Sequence, residues 1–428
     1  MTRALPAAYA ASFARVASWA LLFGIVYRTA GDTGAASVAL LALARGTVGL
    51  LSYLSLGLTP VLVRLLTPGK NDADDDLPAR AYATAGVLIS VASLLGLAGL
   101  LLFVSHYGGI DTPYAIGARV DATVFLMIGV GTLLRTWSEW FASALLAAGR
   151  IATDSVLQTL AEVAFVALAV MPWADAPAAN AAYGFALASS LLFAARALAS
   201  GFVRRPQWSA FDRRLMYPIA LLGGGVVLGQ LADWLYAPLN QILIHRYLHP
   251  TLVAAYAVAI QIDGGLLLAV GGLANVLLPT AALLHREGRL DELRTQYLRA
   301  TVVSLLLLGA GAVVVCGFAQ PIMRVWFGDP MPLTRAILPL VMIHTVIGGT
   351  ATVGRSVLLG IGRVRAYTLS AVAGGVTNAV LATLVVTQTS LGLPGIVYAT
   401  ILTVAVRCGL WMPWYILRCL RRPDASSN

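Results

Sequence analysis

Apolar stretches of about 20 residues recur along nearly the whole chain, and this repetition limits the fold more than any other feature. Of the 428 residues, 59% are hydrophobic and 11% are charged, whereas soluble domains carry roughly 25% charged residues. The polar breaks are too short to hold a soluble domain. Because a helix satisfies its own backbone hydrogen bonds in hydrocarbon, the sequence predicts an all-α polytopic membrane protein.

Twelve transmembrane helices are predicted. They cover residues 7–27, 35–66, 80–104, 119–148, 151–171, 179–203, 215–244, 251–284, 297–323, 335–361, 364–387 and 393–417. The second and the eighth exceed the roughly 20 residues that span a bilayer, so we expect them to tilt, bend or project into water. Pro60 and Pro279 lie near their far ends and are candidates for the bends.

The placement of basic residues predicts the orientation of these helices. With a cytoplasmic N-terminus, the inner connections carry Arg3, Arg64, Lys70, Arg80, Arg150, Arg204, Arg205, Arg213, Arg214, Arg286, Arg289, Arg294, Arg299, Arg363, Arg365, Arg418, Arg421 and Arg422. The outer connections carry Arg28, Arg119, Arg246, Arg324 and Arg335. We therefore expect both termini inside. The net charge of +10 then reflects topology and contact with anionic lipid heads, and no nucleic-acid partner is expected.

One phrase occurs twice, as SALLAAGR at 143–150 and SVLLGIGR at 356–363. Both copies lie at the cytoplasmic end of a predicted helix, the fourth and the tenth. This placement predicts two six-helix lobes, 1–203 and 215–428, joined by the basic linker 204–214. Because six helices return the chain to the same side, the lobes should share one orientation and be pseudo-symmetric.

Charged side chains inside the predicted helices are the strongest indication of function. Six arginines fall there: Arg15, Arg45, Arg135, Arg196, Arg355 and Arg407. Each would cost about 2.5 to 3.5 kcal/mol at a helix centre in lipid, so they must reach water, acids or a ligand. The acids there are fewer, namely Glu139, Glu162, Asp233 and Asp263. The surplus of positive charge predicts a wet cationic cavity, whose natural complement is a phosphate or diphosphate.

Some of these charges have a second interpretation that the sequence leaves open. Arg15 and Arg196 lie within about two turns of the cytoplasmic end, where they can instead snorkel to the interface. Arg135 and Glu139 are four residues apart on one helix face, so they either neutralise each other or Glu139 contacts a ligand. Arg15 is also four residues from Trp19, a spacing that allows a cation–π contact.

Polar residues line up at helical spacing in two of the predicted helices. The two stripes are Asp154, Gln158 and Glu162, and Gln230, Asp233 and Asn240. Such a stripe either hydrates a sugar path or joins neighbouring helices. The acids Glu139, Glu162, Asp233 and Asp263 are candidates for a cavity role or for coupling to H+, Na+ or the membrane potential. The residues suggest no catalytic group, metal site or cofactor.

A resemblance to a known family lies in the stretch TLVAAYAVAIQIDGGLLLAVGGLANVLLPTAALLHREGRLDEL. It has Tyr256 and Ala257 after a short external turn, a long glycine-bearing helix, Pro279, and then a cytoplasmic segment with Gly288. The phrase IMRVWFGDP and the two LLxxGR phrases are similar to later helices of the same family. The chain thus resembles the Wzx-like polysaccharide transporters of the multidrug/oligosaccharidyl-lipid/polysaccharide flippase superfamily.

The resemblance implies two lobes around a central cavity that opens alternately to either side. It implies a bacterial inner-membrane flippase that moves undecaprenyl-diphosphate-linked oligosaccharide to the outer leaflet for surface or exopolysaccharide assembly, with membrane lipids and polysaccharide polymerase machinery as further partners. The family's cationic cavity then falls on Arg15, Arg45, Arg135, Arg355 and Arg407. Such a protein breaks no bond and is not an enzyme.

Two other functions compete with this interpretation. A MATE-like cation or drug antiporter should have more acids than arginines in its cavity, the reverse of the count in this sequence. A membrane glycan polymerase or ligase should carry a large external loop with catalytic side chains. The longest external break, 105–118, is too short for such a loop.

The predicted topology has a direct test. A periplasm-active reporter fused after residue 175 should be active, because that position follows five crossings and lies outside. The same reporter fused after residue 209 should be inactive, since that position lies in the cytoplasmic linker. Activity in the opposite pattern would contradict the count of twelve spans.

Overall fold

The structure is a computed structural model, and it describes residues 4–55, 57–67, 76–107, 118–204 and 207–421. These residues are almost entirely helical and contain no strand, which confirms the predicted all-α fold. Eleven of the described helical segments are long and apolar enough to cross a membrane. A further helix of 30 residues, Ala118–Ala147, corresponds to the predicted span 119–148. The protein is a multi-pass membrane protein.

The chain divides into two compact units, 1–231 and 232–428. Unit 1 begins with α1 (Ala4–Thr29), α2 (Gly34–Thr47), a 3₁₀ segment (Val48–Ser55) and α3 (Leu58–Leu66). It continues with α4 (Leu77–Tyr107), α5 (Ala118–Ala147), α6 (Ile151–Ala169), α7 (Pro177–Gly201) and most of α8 (Arg213–Trp234). Within it, α5 packs along α7, and α6 packs against both α7 and α1.

Unit 2 consists of the end of α8 and eight further helices. These are α9 (Ala237–Tyr247), α10 (Pro250–Arg286), α11 (Leu290–Gly317), α12 (Ala319–Phe327), α13 (Pro332–Gly360), α14 (Val364–Gln388), α15 (Gly392–Val404) and α16 (Met412–Arg421). A π-helical segment, Ala405–Trp411, joins α15 to α16, so that 392–421 forms one span. Within the unit, α13 packs against both α10 and α11. The predicted lobe boundaries at 203 and 215 stay a prediction.

The long predicted span 35–66 is interrupted well before its proline. Helix α2 ends at Thr47, and eight residues of 3₁₀ helix follow. Gly57 then takes a left-handed conformation with φ of 60°, which a glycine adopts without steric cost. Pro60 lies in the first turn of α3, where its missing N–H costs nothing, so it was the wrong candidate for the bend. Pro279, in contrast, lies inside the continuous helix α10.

Two other predicted spans are also divided. The predicted helix 215–244 is broken between α8 and α9, and 297–323 is broken at Phe318 between α11 and α12. Asn378 donates from its Nδ2 to the Leu235 carbonyl oxygen at 2.8 Å, so a neighbouring helix satisfies one backbone group that the first break leaves open. Breaks of this kind are tolerated at membrane depth when protein or water satisfies the freed groups.

The repeated phrase forms the same helix end twice. Gly149 and Gly362 have φ of 74° and 76°. In each copy the arginine N–H bonds to a leucine carbonyl at 2.8 Å, Arg150 to Leu145 and Arg363 to Leu358. Both arginines have φ of −84° and ψ of 42° and precede the next helix. This is the Schellman ending, in which a left-handed glycine lets two backbone N–H groups cap the last turn.

Packing in unit 1 is organised around one tryptophan. The Trp140 ring stacks on Tyr82 with 4.8 Å between centroids, and its Nε1 donates to the Tyr82 carbonyl oxygen at 3.0 Å. A Cβ on Gly86 would lie 2.4 Å from this ring, so only glycine fits there. Asp212, just before α8, accepts from Arg80 of α4 at 3.1 Å. The described end of the predicted linker is therefore held against α4.

Large apolar side chains are exposed along most helices of the described chain. They include Leu94, Leu95, Leu101, Leu102, Leu191, Leu306, Val313, Val314, Leu369 and Leu402. Exposed apolar area this extensive is not found on soluble monomers, and it is the surface that hydrocarbon would cover.

Among the basic positions used for the topology prediction, Arg3, Lys70, Arg205 and Arg422 lie outside the described residues, as does most of the loop 105–118.

The two Schellman endings should contribute measurably to stability. An L-residue in the left-handed region costs about 1–2 kcal/mol. No atom lies within 4 Å of a Cβ built on Gly149 or Gly362, so this backbone cost is isolated from any clash. Gly149→Ala and Gly362→Ala should each lower the free energy of unfolding in detergent by about 1 kcal/mol.

Gly201→Ala is the matched control, because Gly201 is helical, has no positive φ and has equally open surroundings. Wild-type stability in both of the first two variants would contradict the assignment of these helix ends.

Candidate functional site

The predicted charged residues fall into two groups, one in each unit. Unit 1 contains Arg15, Arg45, Arg135, Arg196, Glu139 and Glu162, and unit 2 contains Asp233, Asp263, Arg355 and Arg407. The two groups differ in one respect that matters for binding. Two of the arginines in unit 1 are held by carboxylates, whereas those in unit 2 line a cavity.

Glu162 on α6 is the centre of the unit 1 group. Its side chain is 1% exposed, and it accepts hydrogen bonds from Arg135 Nη1 and, at 2.7 Å, from Ser18 Oγ. Arg135 also donates from Nε to Ser189 Oγ at 3.0 Å and lies 4.7 Å from the centroid of the Phe185 ring. The Arg135 side chain is therefore held by contacts with α6 and α7 and serves mainly to neutralise a buried carboxylate.

The predicted pairing of Arg135 with Glu139 is wrong. Glu139 instead accepts from Thr59 Oγ1 of α3 at 3.3 Å, while Arg135 reaches Glu162 on the neighbouring helix. The reason is burial, because a carboxylate with almost no access to water needs a cation more than the half-buried Glu139 does. Spacing along one helix does not reveal such a partner on another.

Arg196 does not snorkel, contrary to the second interpretation of its position. Its side chain is 7% exposed and forms a two-point contact with Asp154, with Nε and Nη2 at 2.8 and 3.0 Å from the carboxylate oxygens. Its Nη1 donates to Ser138 Oγ at 2.9 Å. Asp154 was counted in a polar stripe and not among the neutralising acids. With Asp154 and Glu162 both bound to arginines, that stripe joins helices and is not a sugar path.

Arg15 and Arg45 are the exposed members of the unit 1 group. The Arg45 side chain is exposed although residues 37–44 before it on α2 are all buried, so it extends from a packed helix into open space. Its Cζ lies 4.7 Å from the Trp19 ring, the ring that the sequence assigned to Arg15. Arg15, Arg45 and Arg135 interact electrostatically with one another and with Glu162, and Arg15 also interacts with Glu139, so the three arginines exceed the two acids. This group is therefore cationic.

Unit 2 contains a cavity of about 350 Å³, where the remaining predicted residues come together. Arg355 of α13 and Arg407 of the π-helical segment both line it, and the Cζ of each lies 5.5 Å from the ring of Tyr367 on α14. Tyr367 therefore orients two guanidinium groups toward one space. Within the part of the chain that the structure describes, neither of these arginines forms an ion pair with a carboxylate.

A glycine makes room for this arrangement. A Cβ on Gly374 of α14 would lie 2.6 Å from Tyr236 Oη and 2.8 Å from Arg407 Cδ. Both atoms occupy the place where any other residue would put its side chain. Arg407 itself extends from a π-helical segment, an irregularity that is frequent at functional sites.

The cavity also contains both acids predicted in this half. Asp233 is exposed to the cavity and interacts electrostatically with Arg355 and Arg407, whereas Asp263 interacts with His344 and Thr345. Asp263 Oδ1, His344 Nε2 and Arg407 Nε are buried and have no hydrogen-bond partner among the described residues. Buried polar atoms of this kind normally bind water or a ligand.

Asn240, the third residue of the predicted polar stripe Gln230, Asp233 and Asn240, has a structural role. Asn240 donates from Nδ2 to Tyr256 Oη at 3.1 Å and to Thr400 Oγ1 at 3.0 Å, and Thr400 donates to Asn378 Oδ1 at 2.9 Å. The four side chains join α9, α10, α14 and α15 directly beside the break after α8.

Sequence reasoning missed Tyr236, His344 and Tyr367 at the cavity, because single aromatic residues in apolar helices carry no signal of their partners.

The family model described as "Polysaccharide biosynthesis protein" matches residues 33–285, more than half of the chain. The chain belongs to the polysaccharide biosynthesis protein family. A second model, MatE, matches residues 226–384 of this polysaccharide biosynthesis protein. Its sequence is also 24% identical over 403 residues to the membrane protein EpsK of Bacillus subtilis (strain 168), covering 88% of this chain and 75% of EpsK.

Solved structures show the same fold. An inward-facing multidrug resistance MATE family transporter of the MOP superfamily superposes with a TM-score of 0.76 at 18% identity, over 97% of this chain and 96% of that one. A MOP superfamily transporter from Pyrococcus furiosus gives 0.66 at 16% identity, over 98% and 96%. The predicted resemblance is thus confirmed for the family and the fold: this polysaccharide biosynthesis protein has the fold of MATE family and other MOP superfamily transporters.

The contact between Arg196 and Asp154 should be essential for stability. Asp154→Asn should lower the free energy of unfolding by about 3–5 kcal/mol, because it leaves a buried guanidinium without its counter-charge. The double variant Asp154→Leu, Arg196→Met should recover most of this loss, since apolar residues of similar volume often replace a buried ion pair at little cost. Unfolding in detergent measures both effects.

Asp291→Asn, which removes an exposed acid from the first turn of α11, is the control for loss of one carboxylate. Equal stability of the Asp154→Asn and Asp291→Asn variants would contradict the role of the buried pair.

Proposed function

We propose that this transporter flips an undecaprenyl-diphosphate-linked oligosaccharide from the cytoplasmic to the outer leaflet of the bacterial inner membrane, by alternating access. The product would serve surface or exopolysaccharide assembly. One observation carries the proposal: two guanidinium groups, Arg355 and Arg407, converge over Tyr367 in the unit 2 cavity without a bound carboxylate.

The chemistry favours an anion. Guanidinium groups inside a membrane protein are costly unless something complements them, and the planar donors of arginine match phosphate oxygens. The buried Arg407 Nε has no partner among the described residues, so a ligand oxygen would satisfy it. The diphosphate of a lipid-linked sugar has the negative charge and the acceptor oxygens that would pair with these two arginines.

The size of the cavity is also consistent with the sugar and lipid parts of the substrate. A cavity of about 350 Å³ has room for the charged group and the first sugars, while the lipid tail stays in the bilayer. Since the arginine charge is fixed, release requires that the two access states differ in affinity for the anion. We infer that both termini are cytoplasmic and that polysaccharide polymerase machinery receives the product.

A second candidate function rests on the acids of the same cavity. Asp233 and Asp263 would suit a cation, as in a MATE-like cation or drug antiporter, and the MatE match at 226–384 includes both. If all four charged residues are ionised, the two arginines offset the two acids. The ion-pair pattern favours the anion, because neither acid forms an ion pair with Arg355 or Arg407 in the described structure.

The test is flipping in reconstituted vesicles. The double variant Arg355→Ala, Arg407→Ala should reduce transport of a lipid-diphosphate-linked oligosaccharide at least about 100-fold, because each charge-assisted hydrogen bond is worth about 1.5–3 kcal/mol. Arg299→Ala is the matched control, since Arg299 is an exposed arginine on α11.

Two results would contradict the flippase. One is full flipping by the double variant with wild-type membrane insertion. The other is export of a cationic drug that survives loss of both arginines but is abolished by Asp233→Asn or Asp263→Asn, which would establish the antiporter instead.

A further inference from the structure

Asp233 stands next to the two arginines but is not bound to them. It lies at the end of α8, lines the cavity with Arg355 and Arg407, and is exposed to it. It interacts electrostatically with both, yet no ion pair of 4 Å or less joins it to either in the described structure. A carboxylate so placed attracts the arginines without occupying their donor groups.

We infer that Asp233 is a built-in competitor for the anion, and that it takes up a proton when the anion binds. This inference rests on the proposed function, because it presumes that Arg355 and Arg407 bind a phosphate-like group. In the empty cavity the Asp233 carboxylate offsets part of the arginine charge. An anion entering beside it meets repulsion, which protonation of Asp233 removes.

The two binding events are therefore thermodynamically linked. If a proton on Asp233 raises anion affinity by some factor, the bound anion raises proton affinity at Asp233 by the same factor. This linkage provides what a fixed pair of arginines lacks, namely a way to hold the cargo in one condition and release it in another. It also gives Asp233, an acid that an anion site would not otherwise need, a role in anion transport.

Other charged or titratable groups face Asp233, and each predicts a different result. Arg355 of α13 and Arg407 of the π-helical segment keep their charge at every relevant pH. Tyr236, Tyr367 and Cys408 are neutral near pH 7 in their ordinary state. Asp263 of α10 and His344 of α13 line the same cavity, and protonation of either would also favour an anion.

The experiment uses sulfate as the probe, because sulfate keeps two negative charges between pH 5 and pH 8. Binding of radiolabelled sulfate to the purified full-length protein in nanodiscs is measured across this range. The signal is defined as the binding that is lost in the Arg355→Ala, Arg407→Ala variant. A weakly buffered solution with a pH indicator reports the protons taken up as sulfate binds.

Wild-type protein should take up protons on binding sulfate and bind it more tightly as pH falls. Asp233→Asn should bind sulfate about tenfold more tightly than wild type at pH 7, the equivalent of one unit of pKa coupling, and should take up no proton. Asp233→Glu keeps the charge and should keep the coupling, so it serves if the asparagine variant does not fold. Asp263→Asn and His344→Gln should retain proton uptake.

The outcomes separate this inference from the proposed function. If sulfate binds wild type and the double arginine variant equally, the anion site itself is absent. If sulfate binding needs the arginines but Asp233→Asn lowers the affinity or still takes up protons, Asp233 is not the competitor. Loss of proton uptake in His344→Gln, with uptake intact in Asp233→Asn, would assign the linkage to the histidine.

Discussion

A guanidinium group cannot remain in hydrocarbon without water, a counter-charge or a ligand, and the rest of this structure depends on that constraint. Two solutions appear in the described chain. Arg135 and Arg196 are each bound to a buried carboxylate on α6, which removes their charge from any binding process. Arg355 and Arg407 instead both lie 5.5 Å from the ring of Tyr367 and line a cavity without forming an ion pair in the described structure. Arginines thus form buried ion pairs in unit 1, whereas in unit 2 they line the cavity that we propose binds the anion.

The two units differ in whether their buried arginines are already paired with carboxylates. The buried ion pairs of unit 1 join α5, α6 and α7, and Ser18, Ser138 and Ser189 add further hydrogen bonds, although Arg135 Nη2 has no partner among the described residues. Breaking such a buried ion pair is costly, because it leaves a charge without its counter-charge. The cavity of unit 2 differs because neither of its arginines forms an ion pair in the described structure, and Asp263 Oδ1 and Arg407 Nε have no hydrogen-bond partner there. Binding chemistry is therefore best sought in unit 2, although the resemblance placed the cationic residues in both halves.

The fold could be predicted from the sequence to a greater extent than the site. Hydrophobic length determined the membrane spans, and the repeated phrase indicated equivalent helix ends at Gly149 and Gly362, because a glycine before a basic residue has a local structural meaning. The break at Val48–Ser55 was not visible, since that segment is as apolar as a helix. The partners of Arg135 were mistaken for a related reason: a spacing of four residues is legible within α5, but contact with α6 depends on how two helices pack. Contacts between helices cannot be predicted from the spacing of residues within a single helix.

Backbone irregularities and charged residues coincide in this protein, and both have the same physical origin. Arg45 precedes the 3₁₀ segment, Asp233 precedes the break after α8, and Arg407 lies within the π-helical turn. Open backbone groups at membrane depth are tolerated only where protein or water satisfies them, which is also what a charged side chain needs. A segment that unwinds near water thus provides a place for a charge, and a charge that draws in water stabilises the unwound segment. Irregular turns at Ala405–Trp411 and after Trp234 therefore belong to the binding cavity as much as its side chains do, and motions that repack these turns would alter the position of Arg407 relative to Asp233.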